Sequence, residues 1–534
     1  MKGARRLPTI ALAAPALVLL PPLLLLSLLL SACRPAPPPE ASQESLFAAL
    51  PEGLLSSPVG LDGGCGAVHQ ETGSPSPKAQ AYYDQGLACL GTFDWVRAAR
   101  SFHGALAQDP SLAVAYSGLA RAYLALEEPR LALGWARQGG ELARNSGNAW
   151  TRAWTALAEA QMVAVLASPS DPRHLAAYRR QLEAHLASDP RDPHTLCLLG
   201  HAWSRADDWG QGGGEASLAW YRRALKADPD FFPAHHFLAH TLENLGLYEE
   251  ALIRARRFAE LAPEAPHAHH MLAHTAPRRG RWPEALEALQ TADALHRARF
   301  EAAELPPAAD WHYSHNLRLL AAVAQRLEQP ELARQALRRT FELPIGGSRG
   351  GFYCGPWIEF LLLEKDTERA LSAAEACLQR PSALAQVLGS SYRGEALLDL
   401  KRPAEARSAL SQAQASLRRW TSTLGPVSTE RTLAAVAGRT VAILEAKLAV
   451  VDGSRRQGEE LLASLGEELA QGKSFDAWAS GRGRLQELQG WAVAHQAPLP
   501  ARRLAAALAS LDDQAATGLA GPDPGGRGSA SACH

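Results

Sequence analysis

The sequence predicts an all-α solenoid of helical hairpins, and three observations carry the prediction. Ala and Leu dominate while Val, Ile and aromatic-rich alternating runs are scarce, so helix is expected throughout and no substantial sheet. A histidine pattern repeats at a fixed interval: His235, His236 and His240 recur as His269, His270 and His274, each at the same offset. Around those histidines, small residues alternate with Leu and aromatics in the way that lets helix pairs pack closely and stack.

The offset is a period of 34, that of the tetratricopeptide repeat, a two-helix unit that stacks into a right-handed superhelix. Ahead of the repeats, Lys2, Arg5 and Arg6 precede an apolar run from Leu7 to Leu30 that Pro15, Pro21 and Pro22 interrupt, so residues 1–32 read as an export signal. The run ends in Leu30-Ser31-Ala32-Cys33, which resembles a bacterial lipobox; that resemblance implies a lipidated Cys33 as the new N-terminus and membrane anchor. With Arg34 rather than Asp next, it implies the outer membrane if the cell is Gram-negative. The competing reading is an uncleaved transmembrane helix, since an apolar run of this length can span a bilayer; the prolines weigh against it.

Residues 33–76 are Pro-, Gly- and Ser-rich and read as a tether with little to pack. The solenoid is expected over 77–345. Tyr82, Gly86, Ala98, Phe102, Ala105 and Pro110 fit a first repeat, and Tyr116, Leu119, Ala120, Tyr123 and Ala132 begin the next. Trp150 to Pro190 gives a looser pair, and Leu196, Gly200, Tyr221 and Ala224 mark a further unit stretched by Gly210 to Gly214. Two regular units follow, on Leu238, Gly246, Tyr248 and Ala251 and on Leu272, Gly280, Trp282 and Ala285; Leu317, Ala321, Ala324 and Ala333 give another. Glycines 346, 347, 350 and 351 break the run, residues 357–515 resume as a degenerate helical region, and 518–534 is a Gly-rich, disordered tail.

Charge excludes one class of partner. Lys plus Arg total 54 against 55 for Asp plus Glu, so there is no electrostatic footprint for nucleic acid. Export would permit disulfides among Cys65, Cys89, Cys197, Cys354, Cys377 and Cys533, in any of 15 complete pairings. Buried free thiols are the plainer reading of Cys89 and Cys377, which sit in apolar helical contexts.

Twelve of the 18 histidines lie from His194 to His315, so their chemistry is concentrated in the central repeats. In repeats of this type, positions two, five, nine and twelve of the first helix face the concave groove. Counting back from Ala251 puts His236, His240 and Glu243 at five, nine and twelve. Counting from Ala285 puts His267, His270 and His274 at two, five and nine, and His315 takes position two of the next unit. His194, Cys197 and His201 extend the same stripe one repeat earlier. Residues at i and i+4 share a helix face, so His236 with His240 and His270 with His274 can each offer two nitrogens to one ion. Imidazole suits Zn, Cu, Fe or Ni, and Glu243 could add an oxygen. His235 and His269, at position four, read as core neighbours, and His296 and His312 fall outside the pattern. The other reading of the stripe is a polar lining that hydrogen-bonds a peptide or small ligand.

Tyr83-Asp84-Gln85-Gly86-Leu87, Ala98-x3-Phe102 and Asp109-Pro110 resemble the opening repeat of a bacterial tetratricopeptide family with an F-[DN]-Q-G-L signature. His236-x3-His240-x2-Glu243, His267-x2-His270-Met271-x2-His274 and Tyr313-x-His315-Asn316 resemble that family's later histidine segments. The match spans residues 79–340 and departs at Trp95, Ser117, His235 and Pro266. It implies a shared groove rather than a named activity. Two function classes follow: a tethered scaffold that holds a metal ion, peptide or small ligand in its groove, or a metalloenzyme (hydrolase or oxidase) using the same histidines with an open coordination position. No Ser-His-Asp order, phosphate loop or HExxH motif is present, and Glu243 is the one obvious general base.

Overall fold

The computed structural model describes residues 53–167, 171–204, 213–345, 351, 353–424, 430–471 and 477–517. The signal segment, Cys33, the glycines 346, 347 and 350, and the tail after 517 lie outside them. No described helix is long and apolar enough to cross a membrane.

The described chain is all-α and built of antiparallel helix pairs. The first seven pairs are α1 (Pro77–Gly91) with α2 (Trp95–Gln108), α3 (Ala113–Ala125) with α4 (Pro129–Ala143), α5 (Ala149–Ala167) with α6 (Pro172–Leu186), α7 (Pro193–Trp203) with α8 (Glu215–Ala227), α9 (Phe232–Asn244) with α10 (Tyr248–Leu261), α11 (Pro266–Thr275) with α12 (Trp282–Ala302), and α13 (Trp311–Arg326) with α14 (Pro330–Glu342). Four more follow: α15 (Cys354–Leu363) with α16 (Thr367–Leu378), α17 (Ala383–Asp399) with α18 (Pro403–Thr423), α19 (Glu430–Val451) with α20 (Arg455–Ala470), and α21 (Ala477–Ala494) with α22 (Pro498–Thr517). Neighbouring helices pack within each pair and from one pair to the next, as in a tetratricopeptide-type solenoid.

Local chemistry sets the boundaries. Proline at the first turn starts α1, α4, α6, α7, α11 and α14, where its missing N–H costs nothing. Ser76, Asp94, Asp192 and Asp310 cap N-termini through side-chain oxygens. Within several pairs the chain reverses through one left-handed residue, and that role recurs one repeat length apart, at Phe93 and Glu127 and again at Gly246 and Gly280. Gly86 and Gly118 clasp Phe102 from two helices; a Cβ at either would lie 2.6 or 2.3 Å from its ring, so only glycine admits this packing.

Two expectations are corrected. Residues 53–76 are not a loose tether: they form a strap laid over the first repeats. Arg100 Nε donates to Leu54 O (2.8 Å), Gln85 Nε2 to Gly60 O (2.9 Å), and Tyr82 Oη to Val59 O (2.9 Å). The strap lacks apolar periodicity because side chains of α1 and α2 satisfy its backbone, so it needs no core of its own. Cys89 and Cys377 are not free thiols: they pair as Cys65–Cys89 and Cys354–Cys377, leaving Cys197 as a buried free cysteine.

The superhelix also closes on itself. Arg100 Nη1 reaches Ala303 O (3.1 Å) and Arg299 Nη1 meets Asp94 (2.6 Å), joining the first pair to the sixth. At the other end α21 packs on α13, and Arg326 pairs with Asp512 at 3.4 Å.

Candidate metal centres

The first helices of three consecutive pairs, α9, α11 and α13, bring six histidines together as two triads. His236, His240 and His267 form one; His270, His274 and His315 form the other. All six are at most 4% exposed. In the first triad His236 Nε2 lies 3.1 Å from His240 Nε2 and 3.0 Å from His267 Nε2. In the second, His274 Nε2 lies 2.9 Å from His270 Nε2 and 3.2 Å from His315 Nε2. The helical i, i+4 pairs supply two nitrogens each, and the neighbouring helix supplies the third.

Hydrogen bonds at the far side of two rings fix which nitrogen carries the proton. His236 Nδ1 meets Gly91 O at 2.8 Å; a carbonyl only accepts, so Nδ1 is the donor and Nε2 holds a lone pair. Gly91 makes this approach possible, since a Cβ there would lie 2.9 Å from the Pro233 ring. His270 Nδ1 meets Asn316 Oδ1 at 3.2 Å, and Asn316 Nδ2 donates to Leu289 O (3.2 Å), which turns the amide oxygen toward the histidine. His270 Nε2 therefore also offers a lone pair. Such outer partners are what orient metal-ligating imidazoles.

Nitrogens bound at about 2.0–2.1 Å to one ion stand about 2.9–3.4 Å apart at right to tetrahedral angles. The observed contacts of 2.9–3.2 Å fit that edge. Burial pushes the imidazoles of His236 and His270 down to about 3, and that of His267 well below its usual value, so these rings are neutral near pH 7 and their nitrogens are available as ligands.

At the first triad the concave groove is filled. The loop between α1 and α2 inserts Phe93 into it, with ring centroids 4.5 Å from His236, 4.7 Å from His267 and 5.5 Å from His312. Phe93 adopts φ 58°, a left-handed conformation uncommon for a bulky residue, and it is 6% exposed. His312, which the repeat pattern omitted, stands 4.9 Å from His267 and 4.8 Å from Trp95 between ring centroids. Asp310 holds both His312 (3.2 Å) and His296 (3.3 Å). Burial alone would raise its carboxyl, but those two histidines hold it below the ordinary range.

The remaining expected residues go elsewhere. Glu243 is buried against Arg278 (3.5 Å) and joins neither triad, because position twelve lies nearly a full turn beyond His240 and meets a cation of the turn after α11. His194, which contacts His69 O (3.1 Å), lines a separate cavity with Cys197 and His201; none of the three joins a metal triad among the described residues. His235, which is buried, and His269, which is half-buried, donate from Nε2 to Pro229 O (2.9 Å) and Pro263 O (2.7 Å), one repeated bond to the preceding turn. The sequence could have offered Asn316, adjacent to His315, and Phe93, which stands one repeat length before Glu127 at the turn position.

No family model and no curated protein matches the chain. Among solved structures it is similar to YrrB, titled a TPR protein with an unusual peptide-binding site, at 18% identity over 41% of this chain and 97% of that one, with a TM-score of 0.28. It is also similar to TTC0263, a thermophilic TPR protein of Thermus thermophilus, at 19% identity over 41% of this chain and 99% of that one, with a TM-score of 0.27.

Proposed function

We propose that the chain is a metal-holding repeat scaffold in which each histidine triad binds one transition-metal ion, Zn, Cu, Fe or Ni. The observation that carries this reading is the gathering of three histidine nitrogens within 4.8 Å of one another, twice, in a buried site. Two of the six rings are committed by Nδ1 hydrogen bonds to presenting lone pairs inward. A cation is the group that such converging nitrogens fit. Burial of both triads, the first of them beneath Phe93, favours retention over exchange, which supports a binding role.

The count of three protein ligands per triad favours one second reading. A fourth position left to water is the pattern of a catalytic ion, so the same centres could serve a hydrolase or oxidase. X-ray absorption on the loaded chain separates the two: four nitrogen ligands support holding alone, whereas three nitrogens with an exchangeable oxygen support chemistry.

Export and lipid anchoring through Cys33 belong to the same proposal and rest on the lipobox-like sequence. Replacement Cys33→Ser should move the chain from the membrane fraction to the soluble one; unchanged membrane association would overturn the anchor. For the metal, elemental analysis of the full-length chain is compared with a variant in which His236, His240, His270 and His274 are all Ala. Bound metal in the parent and its loss in the variant support the proposal. Equal content in both, or none in the parent after reconstitution, overturns it.

A further inference from the structure

Beside the first triad, on the concave side of α1, α3, α5 and α7, lies a cavity of about 780 Å³ of free space, the open solvent at its mouth included. Its walls are mostly apolar, with Leu87, Leu90, Ala125, Leu198, Phe231 and Phe237 among them, and Val68 of the strap covers one side. Phe237 also stacks on His236 (4.6 Å), so the cavity and the triad share a wall and no ligand atoms.

Among the described residues, one arginine lines this apolar space. Arg121 is 6% exposed, its guanidinium sits 4.7 Å over the Trp154 ring, and its Nε donates to Gln161 Oε1 at 3.2 Å. Its Nη2 has no acceptor, and no carboxylate pairs with it among the described residues. Three other arginines inside this fold meet carboxylates, Arg299 at Asp94, Arg339 at Asp293, and Arg484 at Glu395 and Glu487, while Arg100 meets two backbone carbonyls. A buried cation with neither water nor a counter-ion is strongly disfavoured, and an arginine fork presents its N–H groups to a carboxylate in matched geometry. A second polar atom faces the same space, since His201 Nε2 is buried without a hydrogen-bond partner.

We infer that this cavity is a binding site for a small organic carboxylate with an apolar body, its carboxylate on Arg121 and Gln161 and its body against Leu87, Leu198 and Phe237. The site does not rest on the metal reading. His201 Nε2 offers a further hydrogen bond to a ligand that carries a hydroxyl or carbonyl along its body.

The test is calorimetric titration of the full-length chain with 4-phenylbutyrate and with 4-phenylbutan-1-ol, which shares the body and lacks the charge. Chelator is present throughout, so that the acid cannot bind through a metal. A charge-assisted pair contributes about 1.5–3 kcal/mol, so the acid should bind at least about tenfold more tightly than the alcohol. Arg121→Gln should bring the two affinities together. Equal affinity of acid and alcohol for the parent chain, which needs no variant, would overturn the proposal. So would the absence of saturable acid binding, or an undiminished acid preference in a folded Arg121→Gln chain.

Discussion

In the C-terminal helices, Lys447 bridges Glu395 (2.6 Å) and Glu487 (2.8 Å), and Arg484 bridges the same two carboxylates at 2.6 Å each. All four groups are at most 3% exposed, and the ring is closed: each cation meets one oxygen of each carboxylate. In the central repeats, six imidazoles are as deeply buried, yet their inward nitrogens converge at about 3 Å, and the lone pairs of His236 and His270 point at other imidazole nitrogens. The desolvation cost is met by ion pairs in one region, whereas in the other it falls on neutral imidazoles that could coordinate a metal ion. That difference separates a structural polar cluster from a candidate site, and neither burial nor polarity alone would draw it.

Breaking the closed ring should have the largest effect. Lys447→Met leaves Glu395 and Glu487 sharing one cation and should destabilise the C-terminal helices by about 3–5 kcal/mol, read as lost hydrogen-exchange protection in α17, α19 and α21, with metal content unchanged. Removing the plug comes next. Phe93→Gly forfeits a buried ring, about 3–5 kcal/mol, and recovers about 1 kcal/mol of backbone strain. The net loss should appear in thermal unfolding, together with faster metal transfer to a chelator.

Acid should separate the two regions in the metal-free chain. His236 and His270 have folded values depressed to about 3, so they contribute stability that is complete above about 6.5 and is lost as pH falls toward 3; by pH 5 each has given up about 2 kcal/mol. For Glu395, burial pushes up while Arg484 and Lys447 pull down more strongly, and its depressed value means that loss begins only below its ordinary value of 4.5. Hydrogen exchange at pH 5 should therefore show α9 and α11 loosened and α17 and α19 still protected. The same burial lowers the pH at which metal affinity should fall, from the roughly 6.5 expected of free imidazole to well below 5. The smallest effect is expected at the repeated turn bond: His269→Ala should cost about 1 kcal/mol and leave bound metal unaltered.

The helical period was legible because small residues, aromatics and histidines recur at one fixed interval, and that interval alone puts His236, His240, His270 and His274 on one face. The split into two triads was not, since it depends on His267 leaning toward α9 while His270 and His274 lean toward α13. The plug was hidden for a related reason. Phe93, in the first helix pair, reaches His236 in the fifth through closure of the superhelix rather than through any local pattern. Glu395, Lys447, Arg484 and Glu487 read individually as ordinary helix-surface charges; only the packing of α17, α19 and α21 makes them one ring. The strap escaped notice because its partners, Tyr82, Gln85 and Arg100, lie in the repeats and not within it.

The most direct test of two separate centres is a cobalt titration of the metal-free, full-length chain, followed by absorption, beside variants that disable one triad at a time. The parent should take up two equivalents, and His236→Ala with His240→Ala, or His274→Ala with His315→Ala, should each leave one. Uptake of a single equivalent that either double variant abolishes, or no uptake by the parent, would contradict the account.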